Sequence, residues 1–246
     1  ALSSAASDVY KRQPDALRLQ SIGLENTVAS LGTSWNENQL NLLKRYKSSL
    51  CFIPDSDVAP EGQYGPGFKA VMECGTLAIR KGFHATVKEL PFGTRELTEE
   101  ELQEKYEGAI PKDAQREVLV KNDADSYILS EEIYRNLREK HFIVWLAEKQ
   151  FATASSLLRE INCVNQIADL LRYVKDQFVY EQCIEQLSKI YGKARLWKDA
   201  VTQARNQAKS AKQPTMMDKQ QEETDALRQL NLFVRNNCYY CLGKDD

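Results

Sequence analysis

The chain has 246 residues, 42% hydrophobic and 28% charged, with a formal net charge of −2. That length holds one large domain or two small ones around a real core, and the near-neutral balance excludes a global basic footprint for nucleic acid, leaving only local patches. No apolar stretch reaches the roughly 18 residues of a membrane helix, and six scattered cysteines (Cys51, Cys74, Cys163, Cys183, Cys238, Cys241), mostly in apolar runs, read as reduced thiols of a cytoplasmic protein.

In chain order, the first segment is odd. Ser3 to Gln13 resembles the translation of a transposon adapter used for sequencing libraries, so residues 1–13 are expected to be non-native and are set outside the fold. At the other end the sequence stops just after a strand-like run, Leu232 to Tyr240, has begun. The chain is therefore expected to be an internal fragment of a longer protein.

From Asp15 to Asp125 strand and helix patterns alternate. Asp15 to Ile22 reads as a short helix ended by Gly23, and Thr27 to Leu31 as a strand. Ser34 with Glu37 has the spacing of a capping box for a helix through about Tyr46. Leu50 to Ile53 is the next strand. After a loop rich in glycine, Pro66 suits the first turn of a helix whose Phe68, Val71, Met72 and Ile79 share one face and which Gly82 closes. Ala85 to Leu90 is a third strand. This alternation predicts a parallel sheet flanked by helices.

Residues 93–122 break the rhythm. Arg95 to Glu107 carries eight charges in thirteen residues, with a capping box at Thr98 and Glu101, and reads as a solvated surface insertion. Beyond Asp125 the pattern is helical: Ser130 to Gln150, Ala152 to Val174, Gln177 to Tyr191 and Leu196 to Ala211, with His141 to Leu146 as a buried centre. A polar linker, Gln213 to Gln221, precedes a last helix from about Glu222 to Leu230. The expected organisation is 14–128 as an α/β domain, 129–212 as a helical domain, and 213–246 as linker and start of a further domain.

Chemistry concentrates in "SSLCFIPDSDVA", where a short apolar run ends in Asp55 and Asp57. Two unit charges about 4 Å apart in a partly screened medium repel by roughly 4 kcal/mol. A solvated turn tolerates that, and a cation cancels it. Ligands of open α/β sheets bind at the carboxyl ends of strands, and magnesium takes one or two carboxylates plus substrate phosphates. A second pair, Asp123 and Asp125, stands in "VKNDADS". Alone it is equally a turn or a helix cap. Two pairs in one α/β unit are able to line one cleft and hold one or two metals for phosphoryl chemistry.

At this point a resemblance enters. "GLENTVASLGTSWNENQLNLLKRYKSSLCFIPDSD" (Gly23 to Asp57) resembles the Toprim domain of bacterial DNA primases. "NDADSYI" (Asn122 to Ile128) is similar to the family's later acidic motif, and Lys88 to Pro91 to the segment before it. The similarity covers about 14–128. The helical half is only loosely similar to primase–helicases of mobile elements and phages. The resemblance implies a Toprim α/β sheet followed by an all-α region, and Mg2+- (or Mn2+-) dependent synthesis of RNA primers from ribonucleoside triphosphates on a single-stranded DNA template. It implies a replicative helicase as partner, possibly in the same chain. By position, Asp55, Asp57, Asp123 and Asp125 are the implied metal carboxylates. Asp55, Asp57 and Asp15, the acid that ends the family's Glu-Gly-x-x-Asp motif, are the implied catalytic set.

The sequence also departs from the family. Lys11 stands where that motif has its glutamate, so this chain is expected to be inactive although its parent is active. Pro60 to Gly65 is inserted after the Asp-x-Asp.

Other signals are weaker. Lys44, Arg45 and Lys47 cluster on one helix and suit DNA phosphates, or simply a solvated face. Cys238 and Cys241 have zinc-half spacing without a second pair. His84 and His141 read as isolated packing or surface residues, and Trp145 as core. Tyr191 and Trp197, among Lys193, Arg195 and Lys198, are a candidate stacking platform for single strands. Two further functions compete with a primase. "FIPDSDV" imitates the Asp-x-Asp-x-Val of haloacid-dehalogenase-like phosphatases, with Asp55 as nucleophile. A non-catalytic Toprim module would bind DNA without turnover.

Overall fold

A computed structural model describes residues 13–29, 35–56, 64–107, 111 and 114–211. Asp57, the 60–65 insertion up to residue 63, Lys11, and everything from residue 212, including Cys238, Cys241 and the expected last helix, lie outside the described residues.

The chain begins with α1 (Gln13–Ser21) and α2 (Glu37–Lys44), followed by β1 (Ser49–Phe52), α3 (Pro66–Arg80) and β2 (His84–Lys88). Next come β3 (Gly93–Glu96), α4 (Glu99–Lys105), β4 (Glu117–Val120) and the short α5 (Ala124–Tyr127). Then α6 (Glu131–Asn136) and β5 (Glu139–His141) lead to α7 (Phe142–Thr153), α8 (Leu157–Leu171), α9 (Gln177–Ile190) and α10 (Ala194–Ala211). Among these residues no helix is long and apolar enough to cross a membrane.

The fold is mixed α/β with a small sheet. β1 and β2 run parallel, Ser49 opposite His84 and Phe52 opposite Val87, while β5 adds to β2 antiparallel, Thr86 opposite His141. The expected parallel sheet is thus seen in one strand pair. The expected strand at Thr27 to Leu31 is not formed over its described part, Thr27 to Ala29. There the Thr27 N–H and hydroxyl both bond the Leu24 carbonyl, and Gln20 Nε2 bonds the Thr27 carbonyl at 2.8 Å, so those backbone groups are spent on closing the turn after α1. The cap of α2 also differs. Its N-cap is Asn36, whose side chain takes the Gln39 N–H while Gln39 returns the bond.

The strongest departure lies in the expected helix Ser130 to Gln150. It breaks at Leu137, whose backbone turns extended (ψ 128°), and Glu139 to His141 pair with β2. The cause is long-range. Lys88, nearly buried, donates to the carbonyls of Tyr134 (3.2 Å) and Leu137 (2.9 Å), with its ammonium 4.6 Å from the Tyr134 ring. The helix-end carbonyls that would have carried the helix onward are held by a cation instead.

The charged insertion is ordered: β3 and β4 form an antiparallel hairpin around α4, which Thr98 and Glu101 cap as expected. Pro66 sits in the first turn of α3, and Gly82 (φ 79°) ends the turn beyond it, a conformation that favours glycine.

The main core joins α3, β2 and α7 to α10. Phe142, Ile143 and Trp145 of α7 are fully buried, and Trp145 stacks on Phe68 at 5.9 Å. Gly75 is where α3 meets α7: a Cβ there would overlap the Phe142 ring. Trp197 is fully buried too, its indole N–H donating to the Tyr191 carbonyl at 2.9 Å, and Tyr191 stacks on Phe151 at 4.6 Å. Those rings are therefore committed to the core, and the stacking platform for single strands is corrected. His84 and His141 are not isolated: their rings lie 5.2 Å apart across β2 and β5, and His141 Nδ1 accepts the Ile143 N–H that starts α7. Residues through Val201 form one compact unit, and Thr202 onward belongs to a second, described only as the remainder of α10.

Candidate active site

β1 delivers its chain to the sheet edge, where Ile53 and the buried Pro54 lead to Asp55. Beyond β4, Lys121 and Asn122 lead to Asp123, the N-cap of α5. These two acidic segments touch. The Ser56 N–H donates to the Asn122 carbonyl at 2.9 Å, and the Asn122 N–H donates to Ser56 Oγ at 2.7 Å. Lys121 Nζ pairs with Asp55 Oδ2 at 2.7 Å. Asn122 Nδ2 anchors the same turn to the Pro91 carbonyl at 2.9 Å.

The third segment is α1. Leu19 of α1 packs with Leu90, Ala124 and Ile128 in a small apolar cluster beside the acidic turns, with Ile53 against it. That packing brings Asp15 to the start of α5, where its Oδ1 accepts the Asp125 N–H at 3.1 Å. Asp123 Oδ1 accepts the Ser126 N–H at 2.9 Å. Both carboxylates thus satisfy otherwise unpaired donors of a helix N-terminus.

The electrostatics record the convergence. Burial pushes the Asp15 carboxyl up to about 6; the Asp125 N–H opposes this, and the charges of Asp55, Asp123 and Asp125 add to it. The Ser126 hydroxyl holds Asp123 below the usual carboxylate range, against burial, with help from the Ser126 N–H and Lys121. Asp15, Asp55, Asp123 and Asp125 therefore share one neighbourhood although up to 110 residues separate them. Among the described residues, no three His, Cys, Asp or Glu side chains stand close enough together to hold one metal ion as placed. The donor set nonetheless suits a hard divalent cation: carboxylate oxygens from three segments, with Lys121 as the one cation paired to Asp55 in the bonds above.

No family model matches the chain. The chain is similar to the DNA primase of Staphylococcus aureus, 25% identical over 174 residues, 68% of this chain and 26% of that protein. Over 61 residues, 25% of this chain and 10% of that protein, it is 39% identical to the DNA primase of Clostridium acetobutylicum. Among solved structures, a DNA primase domain from Pseudomonas aeruginosa matches with a TM-score of 0.49 and 18% identity, covering 77% of this chain and 51% of that one. Over part of its length the chain is thus similar in sequence to bacterial DNA primases. It spans about a quarter of the length of the S. aureus relative.

In the structure the acids foreseen from sequence meet, with Asp57 outside the described residues. The basic cluster does not join them. Lys44, Arg45 and Lys47 are exposed just before β1, and Asp55 follows its far end, so the strand separates the two groups. Lys44 Nζ lies 5.4 Å from the Phe83 ring. Sequence reasoning missed Ser56, Lys121, Asn122 and Lys88. A lysine two residues before an acidic pair was a usable signal for Lys121. The partners of Ser56 and Lys88, 66 and 46 to 49 residues away, left no local trace.

Proposed function

We propose that this region belongs to the metal-dependent centre of a DNA primase, which joins ribonucleoside triphosphates into an RNA primer on single-stranded DNA. The observation that carries the reading is the meeting of Asp15, Asp55, Asp123 and Asp125 from three distant segments. Asp55, Asp57, Asp123 and Asp125 would hold Mg2+ or Mn2+, which when bound neutralises phosphate charge and activates the attacking hydroxyl. The chain's own residues do the positioning. Asp15 fixes the start of α5 through the Asp125 N–H, and Asp123 caps that helix. Lys121 balances Asp55 and lies where phosphate charge would be drawn in.

The test is ribonucleotide incorporation on single-stranded DNA with Mg2+. The motif of the primase family has Glu-Gly where this chain has Lys11-Arg12, so the Lys11→Glu/Arg12→Gly variant is expected to make RNA oligomers and the chain itself few or none. Adding Asp55→Asn to that variant should cut synthesis at least 100-fold, about 3 kcal/mol of transition-state stabilisation. No synthesis by the restored variant contradicts the proposal. A second reading rests on the same contacts. Asp15 and Asp123 already satisfy helix donors, as carboxylates of a non-catalytic DNA-binding module would; DNA binding without incorporation after restoration selects it.

A further inference from the structure

We propose that Ser56 is a positioning residue, which sets the spacing of the two acidic segments and thereby the affinity of the site for a divalent cation. This rests on the metal-dependent reading above. Ser56 is 1% exposed, although it stands between two aspartates in a polar loop. Its N–H donates to the Asn122 carbonyl at 2.9 Å, its hydroxyl accepts the Asn122 N–H at 2.7 Å, and Oγ lies 3.2 Å from that same carbonyl. All three bonds reach a single residue 66 positions away, so they contribute nothing to closing the local turn.

The placement matters more than the count. Asp55 and Asp57 flank Ser56 in sequence, and Lys121 and Asp123 flank Asn122. The bonds therefore clamp the residue inside one acidic pair to the residue directly before the other. Like charges gathered in one neighbourhood repel, and the repulsion acts to part the two segments. The clamp holds them without occupying any carboxylate oxygen. Alanine at position 56 would keep the backbone donation but leave the Asn122 N–H without its acceptor in a part-buried place, a loss worth roughly 1–3 kcal/mol to the clamp. A cation would then have to gather the two segments itself. Residues that orient metal ligands without touching the ion alter affinity by roughly 10- to 100-fold when replaced.

The experiment is Mn2+ titration of the full chain, followed by the free-ion electron paramagnetic resonance signal, with thermal melts of each variant alongside. Ser56→Ala is expected to bind Mn2+ about tenfold more weakly while staying folded, and Ser56→Thr, which keeps the hydroxyl, to recover most of the loss. If the alanine chain does not fold, Ser56→Gly, which deletes the hydroxyl together with Cβ, serves as the second variant. Wild-type affinity in the folded Ala or Gly variant, even with a lowered melting temperature, overturns the positioning role alone. No saturable Mn2+ binding by the wild-type chain overturns both this role and the metal-dependent reading.

Discussion

Phe142, Ile143 and Trp145 of α7 are fully buried among α3, α8 and α9, where apolar area and close packing hold them. Asp55, Asp123 and Asp125 lie half-buried or exposed at the sheet edge, and a few hydrogen bonds and one ion pair from residues far along the chain hold their segments. The first region is held by apolar burial, which outweighs the cost of the buried, unpartnered Trp145 indole N–H. The second gathers like charges and tolerates them through Lys121 and the donors of α5. Fold stability and site chemistry should therefore respond to different substitutions.

The largest expected effect breaks the helical side. Phe142→Ala should lower the free energy of unfolding by about 3–5 kcal/mol, measured by urea denaturation, because a buried ring leaves a cavity against Gly75. Acidification comes next. Burial, aided by His84, pushes His141 down to about 4, below the ordinary imidazole value near 6.5. In that window the unfolded chain takes up the His141 proton first, so His141 contributes a loss of stability of at most about 3 kcal/mol as pH drops from about 6.5 to about 4, while Asp15, raised to about 6, contributes in the opposite direction. His141→Gln should therefore gain stability relative to the wild-type chain as pH falls through that window in melts across pH; an unchanged difference between the two would contradict the His141 assignment.

Lys88→Met removes the cation holding the Tyr134 and Leu137 carbonyls and should cost roughly 2 kcal/mol, with amide exchange quickening first in β5. The smallest effect belongs to the acidic edge. Asp123→Asn keeps a good N-cap and should move stability by no more than about 0.5 kcal/mol. In the Lys11→Glu/Arg12→Gly variant the same change should abolish primer synthesis. A large stability loss there would erase the contrast between the two regions.

Much of this division is visible in the chain alone, because its signals are local. Pro66, Gly82, the Thr98 and Glu101 box, and the aspartates after an apolar strand each announce themselves within a few residues. What stayed hidden depends on distant partners. Nothing between Ser130 and Gln150 breaks a helix; Lys88, 46 to 49 residues upstream, does so by taking its carbonyls. Ser56 reads as a spacer until Asn122 is beside it. Trp197 among basic residues suggests a surface, and its indole bond to the Tyr191 carbonyl turns it inward. Around Ser34 two overlapping box spacings were present, and the structure uses Asn36 with Gln39.

The most direct test of the central claim is the melting temperature of the chain as Mg2+ is added, compared with Asp55→Asn. A ligand at free concentration c that binds only the folded state stabilises it by RT ln(1 + c/Kd), so the melting temperature keeps climbing with the logarithm of concentration above Kd. Such a climb is expected for the wild-type chain and little or none for Asp55→Asn. No rise in the wild type, or an equal rise in both, would contradict the assignment of the acidic edge as a cation site.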